Sequence, residues 1–298
     1  MAGPRAVSHR LLPGFGHMKP KIMITTHVIH KLNFGKRKDR AFTLVEVLVA
    51  ISIIVLLASI LIPCLGKARD QVLTVVCFSR LRQFGLMYEM YFQDNNDSLP
   101  GGWNTGRMWM TDLLPYYRGA PDIRLCPKTK KFLHEIPNNE MGVFIAWGIM
   151  GHPDLYGGQC KVWHKEGMYG SYGVNGWAHN PPDKGVPGTY DISAGERHLY
   201  WRKRTKVRNR ETVPLIGDCA WDGTHPEINE LPTAREGLVI TENGMSHFTL
   251  PRHGGKVNML FMDASARKVG LKELWSLNWH TKWVKRRLPP SWLDDYPE

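Results

Sequence analysis

None of the five cysteines pairs at C-x-x-C spacing, which argues against a zinc ribbon and a thioredoxin-type redox site. Glycine-rich phosphate loops and His-x-x-x-His ligand pairs are also missing, and no activated nucleophile stands beside a base. An enzyme is therefore not expected, and neither a cofactor nor a metal is assigned. Internal repeats and low-complexity segments are absent, and no linker marks a second folded domain. Acidic residues are scarce where the chain begins: residues 1–41 hold nine Lys/Arg against one Asp. The remainder carries 39 − 9 = 30 basic and 27 − 1 = 26 acidic side chains, so most of the +12 net charge lies in the leader. A nucleic-acid partner loses its support accordingly.

Charge is scarcest of all in "FTLVEVLVAISIIVLLASILIPCL", the 24 residues from Phe42 to Leu65, where Glu46 is the one ionisable acid. About 20 helical residues cross a bilayer's hydrocarbon core, whereas the apolar part of a signal peptide is shorter, roughly 7–15 residues. The segment reads as a membrane span that contacts lipid through residues 42–65. Lys36, Arg37, Lys38 and Arg40 immediately precede it and place the N-terminus on the cytoplasmic side. An ordinary signal anchor has the same length and flanking charge. A carboxylate in lipid costs a few kcal/mol, about 3 on insertion scales, so Glu46 implies a partner or a role.

After Pro63 the helical pattern continues. Val72, Val75, Val76, Leu81, Phe84, Leu86, Met87 and Tyr91 recur mostly three and four apart, with Gly85 tolerated among them. The run Asp94-Asn95-Asn96-Asp97, followed by Pro100, ends the helix near Gln93 to Asn96. Such a helix is roughly 75 Å long. Asp94, Asn96 and Asp97 also look like half of a calcium loop, but turn chemistry accounts for them more simply. Beyond Trp103, "MGVFIAWGIM", "GSYGVN" and "TVPLIGD" read as strands between Gly/Pro-rich loops. Near the end, "KVNMLFMD" and "RKVG" flank a turn and read as a hairpin. Trp275, Trp279 and Trp283 lie four residues apart, as on one stripe of a short C-terminal helix that packs on the sheet or docks a neighbour or a sugar.

The string Ala41-Phe42-Thr43-Leu44-Val45-Glu46, with unbroken apolar sequence after it, resembles the processing site of type IV pilins and type II secretion pseudopilins. The resemblance implies cleavage by a prepilin peptidase between Ala41 and Phe42, with methylation of the new Phe42 amino group. It also implies pairing of Glu46 with the N-terminus of another pilin-like subunit during filament assembly. The family normally has Gly where this chain has Ala41, and Pro63 matches a position where a helix kink commonly sits. His253, nine intervening residues and Asp263 resemble the His-x9-Asp-Gly ending of a group of pseudopilin-like proteins common in planctomycetes; here Ala264 replaces the Gly. A simpler account of this pair has His253 bonding a loop and Asp263 capping the hairpin turn.

The expected architecture is α+β: a long N-terminal helix, its first half transmembrane, on an antiparallel β-sheet head with long loops. Residues 1–41 form a cleavable basic leader, with Met18 and Met23 as alternative starts; 42–66 cross the membrane and 67–298 form the exported head. The protein would sit in the inner membrane with the head periplasmic, or surface-exposed after assembly. In an oxidising compartment Cys77 and Cys126, and Cys160 and Cys219, are the preferred disulfide pairs, with free buried thiols as the alternative. The leading functional expectation is a filament subunit. The other is a membrane-anchored module that binds a polysaccharide.

Overall fold

The computed structural model describes residues 42–105, 108–136, 141–148, 169–183, 196–230 and 244–285. The basic leader, Ala41 and Cys160 lie outside them, as does most of the Pro/Gly loop after Asn180. The chain divides into two compact units, Met1–Leu56 and Leu57–Glu298.

Helix α1, Leu44–Asp94, starts in the first unit and runs through Pro63, whose missing N–H removes one backbone donor. In the first unit its large apolar side chains are exposed. This is a helix long and apolar enough to cross a membrane. In the second unit one stripe is buried: Thr74, Cys77, Leu81, Phe84, Gly85, Met87, Tyr88 and Phe92. That stripe is rotated from the one read in the sequence, because Val72, Val75, Val76 and Leu86 face outward. The reason lies at Gly85. A Cβ there would stand 3.1 Å from Leu260 Cδ1 and 3.3 Å from Ala264 Cβ, so the helix meets the C-terminal hairpin where it carries no side chain. The mid-helix glycine is thus a close-approach site, not merely a tolerated one.

Among the described residues eight strands form two sheets. The smaller contains β1 (Lys131–Phe132), β2 (Ile145–Gly148) and β3 (Tyr169–Gly170). The larger contains β4 (Tyr172–Asn175), β5 (Pro214–Asp218), β6 (Gly223–Thr224), β7 (Lys256–Phe261) and β8 (Ala266–Gly270), in the order β6-β4-β5-β7-β8. Neighbours from β4 to β8 pair antiparallel, but β6 runs parallel to β4 and β1 parallel to β2. The head is therefore mixed, not purely antiparallel, with each parallel pair only two residues long. Pro214, which cannot donate to a ladder, opens β5, and the β5–β7 register slips just after it.

Alternate residues of β7 separate two cores. Leu260 joins Phe84, Trp109, Leu113, Tyr172 and Ile216 on the α1 side. Val257, Met259 and Phe261 join Phe248, Leu274, Trp275 and Trp279 on the other. The period of two is that of a strand covered on both faces. Helix α2, Trp109–Tyr117, contains Pro115 and has no counterpart among the elements expected from the sequence.

The short C-terminal helix is corrected. Leu271–Ser276 forms a 3-10 turn, and the chain then leaves helical geometry. Helix continuation would commit the Trp279 carbonyl to residue 283, but that oxygen accepts from Asn175 Nδ2 at 2.8 Å and Trp201 Nε1 at 3.0 Å. Trp275 and Trp279 are fully buried, and Trp283 is partly covered, its ring centroid 6.5 Å from that of Trp279.

Candidate functional site

The first candidate lies where α1 begins. Thr43 precedes the helix, and its N–H and hydroxyl both donate to Glu46 Oε2, at 2.8 and 2.9 Å. The Glu46 N–H donates back to Thr43 Oγ1 at 3.2 Å. This is a reciprocal capping box, and Thr-x-x-Glu is its sequence signal. The sequence reading gave Glu46 one role and missed this one, although the signal was present. Phe42 is 81 % exposed, one residue before the cap.

The second candidate is a buried polar node in the second unit, assembled from segments far apart in sequence. Asp218 ends β5. Arg252 and His253 occupy the turn before β7, Cys126 follows a 3-10 turn at Pro121–Arg124, and Thr74 and Cys77 lie on α1. The Arg252 Nη1 donates to Asp218 Oδ1 at 2.9 Å and to the Ser171 carbonyl at 2.9 Å, while its Nε donates to the Val143 carbonyl at 2.6 Å. Asp218 Oδ2 accepts the Asn258 N–H at 3.0 Å and lies 3.1 Å from His253 Nε2. The same Nε2 is 3.3 Å from Cys126 Sγ. On the other side of the ring, Nδ1 is 3.1 Å from Thr74 Oγ1, whose proton goes to the Asp70 carbonyl, so Nδ1 is the donor there. The Tyr172 hydroxyl donates to Cys77 Sγ at 3.2 Å.

Burial and charge oppose one another in this node. Burial alone would raise the Asp218 carboxyl, but His253 and Arg252 override it and hold its pKa at about 2. Burial would lower the His253 ring, but Asp218 lifts it to about 9. Burial also resists ionisation of Cys126, yet a hydrogen bond from Cys77, with His253 and Arg252 nearby, brings it down to about 6; Cys77 is pushed well up. The two sulfurs are thus pushed in opposite directions.

The structure separates the residues singled out in the sequence. His253 is buried in the node, whereas Asp263 is exposed at the β7–β8 turn, where Ser265 N–H and Oγ–H donate to its Oδ1 at 2.9 and 2.6 Å. Ala264 holds φ +64°, so the turn keeps a left-handed residue without glycine. Cys77 and Cys126 do come together, but as free thiols rather than the preferred disulfide, their sulfurs engaged by Tyr172 and His253. Cys219 is also a buried free thiol, so the pairing with Cys160 has no described geometry. Asp94 accepts from the Tyr116 hydroxyl at 2.7 Å and Asp97 pairs with Arg204 at 2.7 Å, which leaves these side chains as turn and surface links. Asp218 and Arg252, the centre of the node, had no sequence signal. Neither forms a spaced motif, and only the folded sheet brings them together.

The four groups Cys77, Cys126, Asp218 and His253 each turn one ligand-type atom inward, all within 4.8 Å of one another, and all four residues are buried. No curated protein and no solved structure matches the chain. Residues 36–62 match the family model of the prokaryotic N-terminal methylation motif. The matched stretch takes in Phe42, the capping box and the exposed apolar turns after it. The chain thus carries a prepilin-type N-terminal methylation motif, followed by a single long apolar helix.

Proposed function

We propose that the protein is a pilin-like or pseudopilin filament subunit, processed between Ala41 and Phe42 by a prepilin peptidase and assembled through the first half of α1 into a type II secretion or pilus-type filament. The observation that carries this reading is Glu46. It is a carboxylate four residues from the exposed Phe42, at the head of a membrane-length helix with exposed apolar side chains. Its local donors both bind Oε2, and among the described residues Oε1 takes no hydrogen bond. A neighbouring subunit's new amino group would meet that oxygen, and two charges costly in lipid would offset each other only when subunits come into register. In this reading the helix anchors the chain in the inner membrane with the leader cytoplasmic, and the head has no enzymatic activity. Intact mass and N-terminal sequencing of the protein from its native membrane test it. The expected chain starts at methylated Phe42; a chain that retains Arg40 and Ala41 overturns processing.

A second reading, a displayed polysaccharide-binding head, has one supporting observation. A cleft of about 580 Å³ is lined by Arg197, Arg202, Lys206 and Arg208 with Trp201 and Trp283. Arg197 and Arg202 both reach Asp183, but Lys206 and Arg208 form no ion pair among the described residues. Cations and indoles lining one cleft suit an acidic sugar polymer. Heparin serves as a model polyanion. Retention that survives Glu46→Ala but is lost in a Lys206→Glu, Arg208→Glu double variant favours this reading, and no retention removes it.

A further inference from the structure

We propose that Cys77, Cys126, His253 and Asp218 form a structural binding site for a divalent transition metal, zinc first, that ties α1 to the sheet of the second unit. The inference is independent of whether the helix assembles into a filament.

Geometry is the main argument. With zinc bonds of about 2.0 Å to nitrogen and oxygen and about 2.3 Å to sulfur, a tetrahedron has N–O edges of about 3.3 Å and N–S edges of about 3.5 Å. The measured His253 Nε2 to Asp218 Oδ2 distance is 3.1 Å, and Nε2 to Cys126 Sγ is 3.3 Å. Both fall within a few tenths of an ångström of those edges, and the remaining ligand pairs lie within 4.8 Å. The four atoms come from four separate places in the chain, so local sequence geometry does not explain their convergence.

The surroundings match what such a site needs. His253 donates its other ring nitrogen to Thr74 Oγ1, which fixes the tautomer that leaves Nε2 as the ligand. Asp218 Oδ1 is held by Arg252, which leaves Oδ2 to bind, and Tyr172 donates to the Cys77 sulfur. Charge closes as well: two thiolates cancel a divalent ion, Asp218 cancels Arg252, and the imidazole is neutral. Binding expels to solvent the proton on His253 Nε2 and those still held by the two sulfurs, and changes no oxidation state. Two sulfurs with one nitrogen and one oxygen select zinc over calcium or magnesium, and two cysteines are too few for an all-thiolate iron–sulfur cluster. All four ligand residues are at most 1 % exposed, so the site has no open position for substrate and reads as structural.

The test uses the full chain extracted in detergent, reduced by a phosphine without chelator, loaded with zinc and desalted. Elemental analysis is expected to give one zinc per chain, and X-ray absorption a shell of two sulfurs and two light atoms. Cys77→Ser with Cys126→Ser should abolish binding. Thr74→Val, which removes only the support of the ring, should weaken it by roughly 10–100-fold while the protein stays folded. Three results overturn the proposal: a small fraction of an equivalent bound with both thiols still reactive, a shell of light atoms only, or a Cys77–Cys126 disulfide in the protein as isolated. The absorption measurement needs no variant, so a misfolded mutant cannot rescue the idea.

Discussion

Between Phe42 and Leu65 large apolar side chains stand exposed, while around Asp218 an arginine, an aspartate, a histidine and two thiols are buried to 1 % or less. Each region inverts the usual partition of polar and apolar side chains, and each inversion demands a different remedy. The helix can be satisfied only from outside, by lipid or by another subunit, since its backbone is already paired within the helix. The node is satisfied from inside, by charges that would each be prohibitive alone. In the proposed reading the same physics makes the first region a recognition surface and the second a fixed joint.

The sharpest way to break this contrast is to strip the node of its anion. Asp218→Ala leaves Arg252 as a buried cation without a counter-ion, and about 3–5 kcal/mol of stability should be lost. Urea unfolding followed by tryptophan fluorescence reads it; a shift below about 1 kcal/mol would show that the node is not the joint described.

A second buried carboxyl, Asp222, tests whether burial without a cation has the opposite sign. Its Oδ2 accepts the Trp103 indole at 2.7 Å, and burial raises its pKa to about 7. The folded chain then holds a proton that the unfolded chain gives up, so this contribution is present below about pH 4 and is lost as pH rises through 7. His179 and His225, both set edge-on to Trp103, have pKa values lowered by burial to about 4 and about 3. They act in the reverse direction and flatten the wild-type profile. Asp222→Asn removes only the carboxyl term. Its stability relative to wild type should therefore climb between pH 4 and 7.5, by up to roughly 4 kcal/mol. A constant difference across that range counts against a neutral Asp222.

On the helix, Glu46→Gln separates cap from charge, since the amide oxygen still accepts from Thr43. Stability in detergent should move by no more than about 1 kcal/mol, while cross-linked multimers in the membrane should disappear. Multimers at wild-type yield would mean the charge is dispensable. The smallest effect is a gain. Ala264→Gly relieves a left-handed residue and should stabilise by about 1 kcal/mol, visible as a small rise in melting temperature. No rise would mean the turn's strain is absorbed elsewhere.

Local order was legible wherever one segment contained its own reason. The apolar run and the turn at Asp94 to Asp97 define α1 to within two residues at each end, and alternation along Lys256–Phe261 gives the hairpin. The Thr43–Glu46 cap is equally local, written as Thr-x-x-Glu at the head of the apolar run. What could not be read depends on convergence. The buried face of α1 is chosen by a hairpin turn about 180 residues later pressing on Gly85, not by the densest apolar spacing. The tryptophan stripe suggested a helix, but Asn175 and Trp201 claim the carbonyl that would extend it. His253 was visible as a residue of interest, yet its partner is Asp218 rather than the Asp263 paired with it in sequence.

The span between Thr74 and His253, 179 positions along the chain, also sets a timetable. During synthesis α1 emerges early, with Cys77 on a face that stays uncovered until β5, Arg252 and His253 have all been made. Such distant closure is slow, and it leaves an apolar helix face and two thiols open to aggregation and oxidation in the interval. Maturation of the second unit is thus timed by its last fifty residues, and whatever handles the chain before then meets a helix without its head.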